Sequence, residues 1–258
     1  MPNRNITLSI ISHGQAEELN RLLKDLDRLD SSNRFQVIAT FNIPEKRTDL
    51  KWNFTFPLKF IKNNTPKGFG ANHNAAFSLL PVKEESFFII INPDVSIRED
   101  IFSYLVKKLK SDKKTGVAAP LVKSLNGTME DSTRKIPTPK RIFLKLFGNQ
   151  GKWEGSAIAK EPFEPDWIAG MFMAFRSDVF KQIGGFNENY FLYYEDVELC
   201  CRIWLNNMKV SVEPSICIIH DAQRKSRKNI KYLRWHLRSM GRFFGSSVYR
   251  QIRKHRKV

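Results

Sequence analysis

Three carboxylates, Glu195, Asp196 and Glu198, follow directly on the run Tyr190-Phe191-Leu192-Tyr193-Tyr194. An apolar flank raises a carboxyl pKa and makes the ionised group costly. Such acids either escape to solvent on a helix or are held in place for proton transfer. A helix starting near Glu195 accounts for part of the set, because its dipole stabilises first-turn acids by about 0.3–1 kcal/mol each. Glu198 also has Arg202 four residues on, where the two can pair. At the same spacing Asp196 meets Cys200 and Glu195 meets Leu199, so neither has a helical partner. Val197, Cys201 and Trp204 form the apolar stripe of that helix, with Asp196 at its margin. Asp196 is the acid least explained by helix stability, and it is the candidate general base.

Two further groups are suited to a cation. The apolar run Phe87-Phe88-Ile89-Ile90-Ile91 stops at Asn92-Pro93-Asp94, and the run ending in Ile218-Ile219 stops at His220-Asp221. Asp94 reads either as a turn residue capping the next helix or as a carboxylate for Mg²⁺ or Mn²⁺. His220 alone reads more readily as a satisfied strand-end histidine; two such groups, each ending a strand, point toward a shared site. Ser12-His13-Gly14 ends a third strand in the same way. The segment Lys67-Gly68-Phe69-Gly70 is a weaker signal, lacking the spacing of a dinucleotide or P-loop motif. Its glycines would let backbone approach a ligand beside a helix N-terminus.

These groups need a scaffold that brings strand ends together. Strands at 6–12, 35–41, 57–61, 87–92 and 116–122 alternate with helical periodicity, for example Leu19, Leu22, Leu23 and Leu26. The pattern predicts an α/β fold with a mostly parallel, Rossmann-like sheet flanked by helices, whose ligands gather beyond the strands' carboxyl ends. Residues 123–165, with Pro137, Pro139, Pro162 and Pro165, break the rhythm and read as an irregular excursion over a site. Residues 166–177 resume as a strand, with Ser177 as the expected N-cap of a short helix ended by Gly184-Gly185. A helix over about 195–206 and a strand over 210–219 complete the body.

The 258-residue chain is 41% hydrophobic and carries a net charge of +17. Of its 43 Lys and Arg, 13 lie in residues 222–258, which hold no Asp or Glu; the remaining 30 face 26 acids. The expected organisation is a near-neutral domain over 1–221 with a basic helical tail over 222–258. In the tail Leu233, Leu237, Met240, Phe244 and Val248 recur at helical spacing among arginines, beside Trp235 and Tyr249. Such a helix either docks on an anionic membrane surface or packs its apolar face on the protein's own core. A nucleic-acid-binding tail is the different-class reading, but the unexplained acids lie in the body, so no nucleic acid is expected. No apolar run approaches a membrane span, and the N-terminus has too short an apolar block for a secretory signal. The three cysteines read as reduced core residues of a cytoplasmic protein.

The motifs together resemble family two glycosyltransferases of the GT-A fold. They are "NPDV", "GGFNENYFLYYEDVELCCR", "SIISHG", "GFGANHNAAF", "PDWIAGMFMAFR", "RWHLRS" and the strand-ending His220. The likeness covers nearly the whole chain and is strongest to bacterial rhamnosyltransferases of O-antigen and related polysaccharide synthesis. It implies an inverting, metal-dependent transfer of L-rhamnose from dTDP-rhamnose to a polyprenyl-diphosphate-linked N-acetylglucosamine at the inner membrane face. A UDP-hexose or UDP-galactofuranose is the alternative donor. The resemblance implies that Asp94 and His220 hold Mg²⁺ or Mn²⁺, with Asn92 in place of a first acid, and that Asp196 is the base. It further implies that Ser12, His13, Gly68, Phe69, Gly70 and Asn74 line the nucleotide-sugar pocket, and that Asp166, Trp167 and Glu195 lie toward the acceptor. Relatives usually end the second strand with Asp-Asn; here Phe41-Asn42 leaves the base contact to Asn42 or to backbone.

Overall fold

Apolar strands and one-sided helices alternate along a computed structural model, which describes residues 5–45, 53–81, 83, 85–146, 160–221 and 230–256. Strand β1 (Ile6–Ser12) leads into helix α1 (Ala16–Asp27), whose four leucines are buried. Strands β2 (Phe35–Phe41) and β3 (Leu58–Lys62) precede helix α2 (Phe69–Ser78). The fully buried β4 (Phe87–Ile91) is followed by the short β5 (Val95–Ser96), helix α3 (Phe102–Ser111) and β6 (Thr115–Ser124). Part of the predicted excursion is regular: β7 (Thr133–Arg134) and helix α4 (Pro139–Leu146) lie within it, while residues 147–159 are outside those described. Then come β8 (Trp167–Ile168), β9 (Phe172–Arg176), α5 (Ser177–Gln182), α6 (Glu195–Leu205) and β10 (Lys209–His220). Two helices, α7 (Ile230–Gly245) and α8 (Ser247–Arg256), close the described chain.

The main sheet has the order β3-β2-β1-β4-β9-β6-β10-β5. Pairs β2/β3, β1/β2, β1/β4 and β6/β10 are parallel, as the alternation predicted. Strand β9 runs antiparallel between β4 and β6, and β5 antiparallel to β10. The excursion leaves the carboxyl end of β6 and β9 starts from that same rim, so β9 runs in reverse. In β10 the register shifts between Glu213 and Cys217, around Pro214, which has no N–H for the ladder. Helices α1 and α3 cover one face of the sheet; α2, α5, α6 and the two C-terminal helices cover the other.

Two local expectations are corrected. Ser177 is the first helical residue of α5 rather than its cap; Arg176, in extended conformation, precedes the helix, and no side chain caps it. The continuous tail helix is broken at Ser246, whose hydroxyl accepts the Tyr249 N–H at 3.0 Å and so caps α8.

Glycine within α2 has a packing cause, since a Cβ on Gly70 would stand 2.4 Å from the Phe186 Cβ. Gly70→Ala therefore pits a helix-propensity gain of about 1 kcal/mol against overpacking of roughly 1–3 kcal/mol or more. A lowered urea midpoint with unchanged slope is expected; an equal or higher midpoint would show that Phe186 moves aside freely.

Candidate active site

The rim beyond the strands' carboxyl ends holds the first cluster. Asp94 follows β4, and its carbonyl accepts the Asp221 N–H at 2.9 Å, tying the end of β10 to it. Asp94 Oδ2 lies 3.4 Å from His220 Nε2, while His220 Nδ1 lies 2.7 Å from Glu130 Oε2. Burial opposes charge on this ring, but hydrogen bonds and charge from Asp94 and Glu130 outweigh it and raise the His220 pKa to about 9. Asp94 Oδ1 is buried and has no hydrogen-bond partner among the described residues.

The second cluster stands at the start of α6. Tyr193 and Tyr194 both take left-handed backbone, with φ of 70° and 67°. Neither residue is glycine, so the turn stores strain where the helix begins. Asp196 accepts the Gly170 N–H at 3.1 Å and the Val197 N–H at 2.8 Å. Burial raises its pKa, and these two donors with the Arg134 charge partly offset the rise. Glu195 is only 5% exposed, and its Oε2 has no partner among the described residues. Its pKa is raised well above the usual value, first by burial and then by the Asp196 charge. Glu198 is 2% exposed and clamped by Arg202, so the pair expected on a solvated helix face is interior.

Asp94 and His220 from the first cluster and Tyr193, Glu195 and Asp196 from the second line one cavity of about 1060 Å³, together with Asn92, His13, Asn42 and Phe69. The Asn42 amide is already occupied: its oxygen accepts the Lys67 N–H and the Asn63 amide, and its nitrogen meets Lys67 O and His13 Nδ1. Other expected donor-site residues stand outside the cavity lining and serve the scaffold. The Ser12 hydroxyl donates to Glu45 Oε2 at 2.8 Å and accepts the Gln15 N–H at 3.1 Å. A Cβ on Gly68 would meet Phe191 backbone at 2.9 Å, so the close approach these glycines permit is to the protein's own chain. Asn74 pins Phe186 through both its N–H and its carbonyl, each at 2.9 Å. Toward the acceptor side, Asp166 accepts the Ile136 N–H at 2.8 Å and pairs with Arg256, and Trp167 is buried with its indole N–H on Lys135 O. Neither Asp166 nor Trp167 lines the cavity.

Residues that sequence reasoning missed also appear here. Tyr232 and Trp235 of α7 line the cavity, with Trp235 packed on Phe191 at a centroid distance of 4.7 Å. Trp235 stood out in the sequence only as an aromatic of a helix that would meet either a membrane or the protein's own core, and Tyr232 was not singled out. Glu130 sits in a polar turn and carried no signal.

Among the described residues no group of three or more His, Cys, Asp or Glu is arranged as a metal cage. Asp94 and His220 nevertheless fit a divalent cation whose remaining ligands are diphosphate oxygens and water, a common arrangement for Mg²⁺. The orphaned Asp94 Oδ1 is the observation that supports this fit.

The same architecture recurs in solved glycosyltransferases. GalNAc-T7 with UDP, GalNAc and Mn²⁺ superposes with a TM-score of 0.66 at 15% identity, over 98% of this chain and 55% of that one. The mannosyltransferase PcManGT from Pyrobaculum calidifontis, with GDP-Man and Mn²⁺, gives 0.60 at 14% identity, over 97% and 70%. The fold is GT-A. In sequence, the GT-A chain is 27% identical over 248 residues to rhamnosyltransferase WbbL of Escherichia coli, covering 92% of each. It is 29% identical over 168 residues to N-acetylglucosaminyl-diphospho-decaprenol L-rhamnosyltransferase of Mycobacterium tuberculosis, 60% of this chain and 53% of that one. This chain therefore spans about half the length of the mycobacterial relative. A family model described as the N-terminal domain of galactosyltransferase matches residues 157–225, which contain both α6 and His220.

The buried acid gives a pH test. With its folded pKa raised, Glu195 contributes fully at low pH and loses that contribution as pH rises through the folded pKa. Glu195→Gln removes the titration, so the variant's melting temperature should gain on the wild type's as pH rises from about 4. A difference that stays constant as pH rises would show that Glu195 does not titrate abnormally.

Proposed function

We propose that the protein is an inverting glycosyltransferase acting on a nucleotide sugar and a lipid-linked acceptor. One observation carries the reading: Asp94, Asp196 and His220, distant in sequence, line a single cavity at the strands' carboxyl ends. The donor we infer is dTDP-rhamnose and the acceptor a hydroxyl of polyprenyl-diphosphate-linked N-acetylglucosamine, on the strength of the relatives' names and the shared motifs. A UDP-hexose is the alternative donor, because Asn42 is already committed to the scaffold and leaves base selection open.

In this reading Asp196 takes the proton of the acceptor hydroxyl as it attacks the anomeric carbon. The burial that raises its pKa brings its basicity toward the working range, while the Gly170 and Val197 N–H groups hold the carboxylate in one orientation. Asp94 and His220 would hold a divalent cation, which neutralises charge growing on the departing diphosphate. Phe69 and the α7 residues Tyr232 and Trp235 give the same cavity an aromatic wall.

The apolar residues of the tail fall into a buried set and an exposed set. Phe243, Tyr249 and Ile252 are buried in the core, whereas Ile230, Leu233 and Leu237 are 76%, 56% and 51% exposed. With Arg234 and Arg238 beside them and no acid in 222–258, that outer stripe suits an anionic bilayer, the surface on which a polyprenyl acceptor resides. No helix among the described residues is long and apolar enough to cross a membrane.

Asp196→Asn should fold normally and transfer about 10²–10⁴-fold more slowly. The assay offers dTDP-rhamnose, UDP-galactose and UDP-galactofuranose with lipid-linked N-acetylglucosamine diphosphate and Mg²⁺ or Mn²⁺. Undiminished transfer by the variant removes Asp196 from the mechanism. No transfer from any donor, combined with steeply salt-dependent RNA binding, would favour the nucleic-acid reading. Replacing Leu233 and Leu237 together by Asp should weaken co-sedimentation with anionic vesicles about tenfold or more. Equal sedimentation of that variant would place membrane contact elsewhere.

A further inference from the structure

Glu130 faces His220 on the side away from Asp94. It stands on the hairpin after β6, and local chemistry fixes that hairpin. Gly127 has φ +78°, its N–H donates to Ser124 O at 2.9 Å, and the Ser124 N–H donates to Thr128 O at 2.8 Å. The returning strand bridges Met129 to Lys123 and donates the Glu130 N–H to Val122 O at 2.9 Å. Ser124 is the register partner of His220 on β10, so the turn sets this carboxylate against the imidazole. The contact is short, 2.7 Å, against 3.4 Å on the Asp94 side. Among the described residues Glu130 forms its ion pair with His220 alone.

We propose that Glu130 is a positioning residue for His220: it holds the Nδ1–H and thereby presents Nε2, as the free lone pair, to the cation site shared with Asp94. The inference rests on the metal reading given above and goes beyond it. A neutral imidazole carries one donor and one acceptor nitrogen. A bound cation takes the place of the proton that Nε2 otherwise holds toward Asp94; with Nδ1–H kept on Glu130, Nε2 is the nitrogen left as acceptor, and the ring plane is fixed by a second point of attachment. Without Glu130 the proton is free to sit on Nε2, where it excludes a metal, and the ring is free to turn. Carboxylates placed behind metal-binding histidines typically contribute 10–100-fold in metal affinity.

The test titrates Mn²⁺ alone into wild-type protein, Glu130→Ala and Glu130→Gln, reading free Mn²⁺ by electron paramagnetic resonance. Glu130→Ala should bind about 10–100-fold more weakly. Glu130→Gln, whose amide oxygen still accepts the Nδ1 hydrogen, should recover most of the loss. Wild-type affinity in Glu130→Ala overturns the proposal. Equal losses in Ala and Gln also overturn it, since they would make the carboxylate itself a ligand. A wild-type protein that takes up no Mn²⁺, either alone or with a nucleoside diphosphate present, removes the metal reading beneath it, an outcome distinct from both. Nitrogen-15 spectra of Mg²⁺-loaded wild type supply a check independent of the variants' folding: His220 must appear as the Nδ1–H tautomer, and an Nε2–H tautomer sinks the assignment.

Discussion

The guanidinium of Arg202 organises the segment on which the site depends. It meets both carboxylate oxygens of Glu198, at distances between 2.9 and 3.1 Å. It also donates to the carbonyl of Ile183 and, at 2.7 Å, to that of Gly185. One residue on α6 thus holds the loop that leaves α5. Breaking a buried pair of this kind by removing one partner typically costs about 3–5 kcal/mol. The loop fixed at Gly184-Gly185 then passes Phe186 beneath Asn74 and Gly70, and Phe191 against Gly68 and the Phe69 N–H. Every later feature, from the two left-handed tyrosines to Asp196, starts from that anchored course.

The aromatic run beside the acids is explained by what it supports. Tyr190 is fully buried, Phe191 packs on Trp235, and Tyr194 packs on Phe243. The Ser239 hydroxyl donates to Leu192 O at 2.8 Å. This run is the bed on which α7 lies, and α7 in turn walls the cavity. The low-dielectric surroundings that raise the Asp196 and Glu195 carboxyl pKa values follow from the same packing. At the other wall the charges are paired: His220 sits between two carboxylates, with the imidazolium favoured by both.

The sequence made much of this legible because its strongest signals are local. Residues 87–91, all apolar, form a central strand, and the 3.6-residue spacing of the α1 leucines fixes that helix and its inner face. Asp94, Asp196 and His220 were visible as polar groups at the ends of apolar elements. What stayed hidden depends on tertiary neighbours. The reversal of β9 is set by where the excursion returns, which no periodicity encodes. Gly68, Gly70 and Asn74 look alike whether they approach a ligand or a loop far along the chain, and here they approach the loop. The Glu198–Arg202 spacing foretold a pair but not its depth. Glu130 lies in a turn of ordinary composition, and only the strand register brings it to His220.

The antiparallel insertion of β9 bears on how the chain is assembled during synthesis. Strands β1 to β4 can pair as soon as they exist, yet the outer side of β4 has no neighbour until Phe172 emerges. At roughly 5–20 residues per second, the intervening roughly 80 residues take on the order of ten seconds. For that interval the row Phe87-Phe88-Ile89-Ile90-Ile91 presents a bare, greasy hydrogen-bonding margin, the kind that recruits strands from other nascent chains. A sheet sealed late by a central strand thus makes the half-finished polypeptide the vulnerable species, and chaperone capture in that window would protect its yield.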